Sequence, residues 1–231
     1  MRIKAIMHVE FEDPAGISVW AAKAGHDLDL VRIYAGDPLP GPRDLELLVV
    51  MGGPMSVHDE LEFQWLRAEK EFLSRTVAAG KSVLGVCLGA QLLSEVLGGE
   101  VTKNPHREIG WHPVRLTPWG PQSKAFAGFP EEFPAFHWHG ETFSTPRGAS
   151  TLAESQACAN QAFAVGAKLV GLQFHLETTI QSMDNLIRNA AQDLVPGTYV
   201  QNAEEMRQGL GNLPGMAKIL DILLSNMAKE V

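Results

Sequence analysis

The stretch SVLGVCLGAQ, residues 82–91, predicts a buried strand that passes directly into a helix. Cys87 stands at the turn, and Gly85 and Gly89 flank it. A tight turn of this kind strains the residue at its apex, and small neighbours let the backbone bend far enough to expose the side chain. The positive end of the helix dipole favours a thiolate over a thiol here. We therefore interpret Cys87 as a nucleophile, in preference to a buried structural cysteine.

Around this elbow, short β-branched runs alternate with longer amphipathic runs, which is typical of a parallel sheet covered by helices on both faces. Strands are predicted over residues 3–9, 27–34, 46–51, 82–86 and 169–174, and helices over residues 14–24, 60–79, 88–97 and 178–193. The intervening region from residue 101 is richer in Pro, Gly and Trp, which predicts shorter strands and turns in an antiparallel extension.

No repeat or linker divides the chain, so we expect one domain over residues 1–195 and a helical extension over residues 196–231 that packs on it. The second helix of this extension carries an apolar stripe of five residues, Met216, Ile219, Leu220, Leu223 and Met227. Docking of the stripe on its own domain is the favoured interpretation. A homodimer contact or a partner surface is the alternative.

Composition and charge exclude several function classes. The 231 residues are 45% hydrophobic and 20% charged, the balance of an ordinary globular protein. Nineteen Lys and Arg against 27 Asp and Glu leave a net charge of −8, which opposes binding to nucleic acid. Two cysteines form no disulfide framework, so a cytoplasmic location is expected, and Cys158 is interpreted as a small buried residue. No stretch has the pattern of a signal peptide or a membrane span.

The segment QFHLE, residues 173–177, supplies the partners that a nucleophilic cysteine needs. His175 and Glu177 are two positions apart at the end of a strand, so they project to the same side. Glu177 can then hold one imidazole nitrogen while the other faces Cys87. This is the arrangement of a general base with its orienting carboxylate.

The turn Gly52-Gly53-Pro54 follows another apolar strand and is suited to directing backbone amides toward a neighbouring strand end. Glycine at this position lets the backbone approach a substrate closely. The amide of Leu88, directly after the nucleophile, is the second expected donor to an oxyanion.

Three motifs together, GVCLGAQ, QFHLE and MGGPMS, resemble the class I glutamine amidotransferase family, the Cys-His-Glu glutaminases found in GMP synthase and related enzymes. The segments EIGW, residues 108–111, and HWHGETF, residues 137–143, resemble the small standalone branch of that family. The resemblance covers about residues 1–190. It departs from the family pattern at Leu176, where proline is common, and the chain has no phosphate-loop signature of a synthase domain.

The resemblance implies a flavodoxin-like three-layer α/β/α sandwich with a mostly parallel central sheet and a small antiparallel extension. It implies Cys87 as nucleophile, His175 as base and acid, and Glu177 as orienting carboxylate. The remaining implied site residues are Gly53 and Leu88 as oxyanion donors, and Gly52, Gln91, His137, Trp138 and His139 as substrate contacts. No cofactor is implied.

The same HWHGETF segment allows a second interpretation, because His137 and His139 with His112 or Glu108 form a pattern that suits zinc-type ligation. We favour a pocket wall without a metal, since the resemblance requires none.

These features predict hydrolysis of the side-chain amide of L-glutamine through a γ-glutamyl thioester. One alternative keeps the chemistry and changes the substrate to a γ-glutamyl peptide or amide. Another is an amidotransferase subunit that is inactive until an ammonia-accepting synthase docks in trans, with the stripe at Met216–Met227 as a docking surface. We expect no nucleic-acid or membrane partner.

Overall fold

A nine-stranded sheet forms the centre of the computed structural model, which describes residues 1–231. The strands are β1 (Arg2–Met7), β2 (Asp27–Arg32), β3 (Leu47–Val50), β4 (Ser82–Val86), β5 (Val101–Leu116), β6 (Glu132–Phe143), β7 (Ser150–Glu154), β8 (Ala162–Val165) and β9 (Leu169–Leu172). The helices are α1 (Ala15–Lys23), α2 (Trp65–Ala78), α3 (Leu88–Val96), α4 (Ile180–Asn189), α5 (Ala203–Gln208) and α6 (Leu213–Ala228).

Strand order explains why the expected site residues can meet. The order across the sheet is β2-β1-β3-β4-β9-β8-β7-β5-β6. The first five strands pair in parallel, and every pairing from β9 onward is antiparallel. The carboxyl ends of β3, β4 and β9 therefore lie side by side, which is where ligands bind in open α/β sheets. The Gly-Gly turn, Cys87 and the QFHLE segment follow these three ends.

Two hydrophobic cores lie on opposite faces of the sheet. Leu47 and Val49 point into one core with residues from α1, α4, α5 and α6, whereas Leu48 and Val50 point into the other with residues from α2 and α3. Successive strand residues face opposite sides, so a strand buried on both faces is continuously apolar. The expected three-layer α/β/α sandwich, with its parallel sheet and antiparallel extension, is confirmed.

The region that was expected to hold short strands and turns instead contains the two longest strands, β5 with 16 residues and β6 with 12. Their register shifts between Lys103 and Glu108, and Pro105 falls in this irregular stretch. Gly110 has a φ of +106°, a conformation that favours glycine. The Pro and Gly residues that predicted turns therefore lie at irregular positions inside long strands.

Two helix boundaries also differ from the expected ones. The helix expected from residue 60 begins at Trp65, and Leu61, the first member of its apolar pattern, is 95% exposed in the preceding turns. The helix expected over 178–193 runs only from Ile180 to Asn189. Its start is set by Thr179, whose side chain accepts a hydrogen bond from the Ser182 amide.

The C-terminal helices complete one of the two cores. All five members of the apolar stripe of α6 are buried in the core beneath α1, and α6 packs against α1 and β6. The favoured interpretation of the stripe therefore agrees with this packing. Its use as an exposed dimer or synthase surface is wrong, because the chain itself covers it. The boundary at residues 195–196 stays a prediction. No helix combines the length and apolarity that crossing a membrane requires.

Gly89→Ala is expected to destabilise the fold by about 1–3 kcal/mol or more, since overpacked positions cost that much. A methyl group on Gly89 would collide with the Val50 carbonyl, which is backbone and cannot rotate away. Thermal or urea unfolding measures the effect. Gly215→Ala in α6 is the control, because its methyl group would meet open space and alanine is the better helix former. Equal stability of the two variants would contradict the close α3–β3 packing.

Candidate active site

Cys87 occupies a strained backbone conformation between β4 and α3. Its φ is +51° and its ψ is −110°, a combination that side chains other than glycine rarely adopt. The Cys87 amide donates to the Leu172 carbonyl of β9 at 2.7 Å, and the Cys87 carbonyl accepts from Ala90 at 3.0 Å. A Cβ on Gly85 would collide with the backbone of Gly89, so the turn requires glycine on both sides. The expected elbow is therefore present, with Cys87 only 6% exposed.

His175 and Glu177 form a buried pair beyond the end of β9. His175 Nδ1 and Glu177 Oε1 are 2.7 Å apart, while His175 Nε2 has no hydrogen-bond partner. The His175 amide donates to the Phe136 carbonyl of β6 at 2.8 Å, which fixes the backbone. Burial lowers the pKa of His175, but the Glu177 charge, together with the neighbouring Cys87, outweighs burial and raises that pKa well above 6.5.

Gly52 lies where the cysteine and the histidine meet. A Cβ built on Gly52 would be 3.2 Å from His175 Cε1 and 3.5 Å from Cys87 Cβ. Two further contacts hold the sulfur: Gln173 Nε2 donates to it at 3.6 Å, and the thiol donates to the Trp138 carbonyl at 3.7 Å. The elbow and the QFHLE segment are thus adjacent in space.

The two amides expected to bind an oxyanion are free of acceptors within the chain. The Gly53 amide donates to neither a backbone nor a side-chain group. Leu88 is the first residue of α3, a position at which the amide has no intrahelical acceptor. A Cβ on Gly53 would lie 3.1 Å from Leu88 Cδ2, so the two residues are neighbours. An arriving oxyanion could accept from both.

A cavity of about 510 Å³ opens above Cys87. Of the expected substrate contacts, Gln91, Trp138 and His139 line it, as does Gly53. Gly52 does not line the cavity, contrary to expectation. Gln91 is buried and donates to Gln173, which in turn reaches the cysteine sulfur. The side chain of His137 differs from expectation: it is fully buried against Phe174 and does not line the cavity.

Three polar residues near the site belong to none of the sequence motifs that predicted it. Glu12 lines the cavity, and a Cβ on Gly52 would collide with its carboxylate. Burial raises the pKa of Glu12 to about 6, although His175 opposes that shift. His8 and Glu69 form a fully buried pair behind the Gly-Gly turn. The only sequence signal for Glu12 and His8 is their position just after β1, at the edge of the sheet where parallel strands place functional groups.

Three of the candidate metal ligands lie close together in the protein interior. Ligand atoms of Glu108, His137 and His139 lie within 4.8 Å of one another. Glu108 Oε2 accepts from His139 at 3.0 Å and from Gln161 at 2.6 Å, so the carboxylate is held by hydrogen bonds. Burial lowers the pKa of His137 to about 3, which keeps that ring neutral. These contacts brace β5 against β6 beside the cavity.

Cys158 is the second cysteine, and it is buried. Its sulfur lies 3.1 Å from the Thr142 hydroxyl, and burial raises the pKa of its thiol. An unreactive thiol follows, in keeping with a structural role.

Comparison with known proteins identifies the family. The glutamine amidotransferase class-I family matches residues 21–193. Glutamine amidotransferase-like protein YfeJ of Salmonella typhimurium is 34% identical over 214 residues, which is 90% of each chain. The crystal structure of a glutamine amido transferase from Methylobacillus flagellatus has a TM-score of 0.92 and 30% identity, over 100% of this chain and 95% of that one. GMP synthase of Lactobacillus gasseri is 32% identical over 154 residues, 66% of this chain and 27% of the synthase. This chain belongs to the class I glutamine amidotransferase family.

Proposed function

We propose that this protein hydrolyses the side-chain amide of L-glutamine to glutamate and ammonia, with Cys87 as nucleophile. The observation that carries the proposal is the meeting of a strained cysteine with a buried histidine–glutamate pair beside Gly52. Membership in the family supports the substrate class. The cavity above Cys87 provides the space for the substrate.

The reaction begins when the Cys87 thiolate attacks the carboxamide carbon and forms a tetrahedral oxyanion. The Gly53 and Leu88 amides donate to that oxyanion, and His175 gives its proton to the departing nitrogen as ammonia leaves. A γ-glutamyl thioester on Cys87 results. Water, deprotonated by the now neutral His175, attacks the thioester and releases glutamate with regeneration of the thiolate. Glu177 holds His175 in position throughout.

The proposal is tested by measuring ammonia and glutamate release from L-glutamine by the purified protein, with Cys87→Ala as the blank. Equal amounts of the two products, absent from the blank, are expected. Hydroxylamine should trap the thioester as γ-glutamyl hydroxamate, which separates covalent catalysis from a direct attack by water. A folded protein that releases nothing from any γ-glutamyl substrate, either alone or with a synthase added, would overturn the proposal.

A second candidate is hydrolysis of γ-glutamyl peptides or amides. The cavity of about 510 Å³ lies in the range of about 300–1,000 Å³ that holds drug-sized ligands, more than one amino acid needs. Lys103 and Arg107 also line it, and either cation suits a peptide carboxylate beyond the scissile bond. Turnover of γ-glutamyl dipeptides well above that of L-glutamine, in the same assay, would favour this candidate.

Dependence on a partner is the third possibility for the same site. The chain aligns with 27% of a GMP synthase that is 32% identical to it, which supports a synthase as the partner that accepts the ammonia. Activity that appears only after a synthase is added would support this view. Such a synthase would have to dock elsewhere than on the buried stripe of α6.

Gly52→Ala is expected to lower kcat by about 10²-fold or more, because misplacement of reacting groups by about 1 Å has that effect. The new methyl group would push against His175 and lie beside Cys87. Since Gly52 does not have a positive φ and Glu12 can rotate away, the melting temperature should change little. Steady-state kinetics and thermal unfolding check both statements. Gly211→Ala, whose methyl group would meet open space, is the matched control. Unchanged kcat in Gly52→Ala would contradict the placement of the site.

A further inference from the structure

A buried histidine holds the carbonyl of Gly52. His8 Nδ1 is 2.9 Å from the Gly52 oxygen, and His8 Nε2 is 3.0 Å and 3.1 Å from the two oxygens of Glu69. A carbonyl oxygen only accepts, so Nδ1 carries a proton and donates to it. The indole of Trp65 stacks on the His8 ring at a centroid distance of 5.5 Å. The ring is therefore fixed at both nitrogens and on one face.

The carbonyl of Gly52 and the amide of Gly53 belong to one planar peptide unit. No peptide bond in the protein is cis, so this carbonyl and this N–H point in opposite directions. His8 follows β1, and Cys87 follows β4, with β3 between these two strands. A carbonyl drawn toward β1 therefore turns the Gly53 N–H toward β4 and the cysteine.

We propose that His8, held by Glu69, is a positioning residue that sets the orientation of the Gly52–Gly53 peptide and so aims the Gly53 N–H at the oxyanion formed on Cys87. This inference rests on the proposed function, because the oxyanion exists only if Cys87 attacks a carbonyl. It explains why an ion pair is buried where no substrate reaches. Both side chains are completely shielded from solvent and neither lines the cavity.

The two glycines at positions 52 and 53 explain why this peptide needs a residue that fixes its orientation. A Gly-Gly peptide has a wide choice of backbone conformations, so its amide would sample several directions without an external constraint. A Cβ on Gly53 would lie 3.0 Å from His8 Cβ, so the base of the histidine side chain also packs closely on this turn. Burial lowers the pKa of His8, but Glu69 outweighs burial and raises that pKa, which keeps both ring nitrogens protonated.

The test removes the donor without leaving a buried charge. His8→Leu/Glu69→Leu replaces the pair by apolar side chains, an exchange that buried ion pairs often tolerate. We expect kcat to fall by about 10–10³-fold with KM nearly unchanged, measured on the substrate that the wild-type enzyme hydrolyses. The upper end of this range is the loss that follows removal of one oxyanion donor. In His8→Asn/Glu69→Leu, the side-chain amide nitrogen of the asparagine can replace His8 Nδ1 as the donor. This variant should therefore recover much of the lost kcat.

Alkylation of Cys87 by iodoacetamide separates positioning from general damage. Alkylation displaces iodide and forms no oxyanion, so its rate should stay within about twofold of wild type in His8→Leu/Glu69→Leu if only the amide has moved. Thr76→Val, which removes a buried hydroxyl on the same helix as Glu69 but away from the site, is the control for a disturbed α2.

Each outcome decides the matter. Loss of hydrolysis with retained alkylation and with recovery in the asparagine variant supports the inference. Hydrolysis at the wild-type rate in His8→Leu/Glu69→Leu overturns it while leaving the proposed function intact. Parallel loss of hydrolysis and alkylation also overturns it, since the pair would then be merely structural. A wild-type protein that is inactive on every γ-glutamyl substrate, even with a synthase added, removes the proposed function itself and the inference with it.

Discussion

Cys87→Ala is expected to lower hydrolysis of the γ-glutamyl amide by about 10⁴–10⁶-fold, the loss that follows removal of a covalent nucleophile from an acyl-transfer enzyme. No other thiol can take over, because Cys158 is buried and its thiol pKa is raised by burial. Cys87→Ser should recover little, since a hydroxyl needs more activation than a thiol for the same attack. Ammonia release measured with a coupled assay reports the effect, and hydroxylamine trapping should give no γ-glutamyl hydroxamate.

Cys158→Ala is the matched control for this prediction. It removes a cysteine that lies beside Thr142, outside the cavity, so kcat should remain within a few-fold of wild type. Cys87→Ala should also fold normally, because alanine keeps the Cβ of cysteine and lacks only the sulfur, so it introduces no new steric clash. Substantial turnover by a folded Cys87→Ala protein would exclude the thioester route and return the cysteine to a structural role.

The elbow and its partners can be predicted from sequence because each motif is local. Gly85, Cys87 and Gly89 lie within five consecutive residues, and the strained φ of +51° follows from the need to turn a strand directly into a helix. His175 and Glu177 are likewise neighbours along one segment. Their approach to Cys87 depends on the pairing of β4 with β9, which places the carboxyl ends of these two parallel strands side by side.

Contacts between distant segments could not be predicted in this way. His8 reaches Gly52 across 44 positions and Glu69 across 61, and nothing in the local pattern of either segment selects the other. The apolar stripe of α6 shows that a face is buried, but periodicity does not reveal what covers it; here α1 and β6 do. Pro105 and Gly110 are residue types that predict turns, but both lie within β5, which pairs with β6.

Glu177→Gln is expected to lower kcat/KM by about 10²–10⁴-fold and to move the basic limb of its pH profile to lower pH. In the proposed mechanism the departing ammonia takes its proton from His175, so the basic limb reports loss of that proton in the free enzyme. Glu177 is the principal group that raises the pKa of His175 above 6.5 against the opposing effect of burial. With a neutral amide in its place, this contribution is lost, so the pKa of His175 falls and the proton is lost at lower pH.

The same substitution should change stability in a pH-dependent way, which provides a second readout. A histidine whose pKa is raised on folding stabilises the native state fully below the unfolded pKa of about 6.5, and this contribution disappears as pH rises through the higher folded pKa. Glu177→Gln should therefore lower the melting temperature more at pH 6 than at pH 9. Asp184→Asn, which breaks a half-exposed ion pair with Arg207, serves as the control and should shift neither profile. An unchanged basic limb in Glu177→Gln would show that Glu177 does not control the proton on His175.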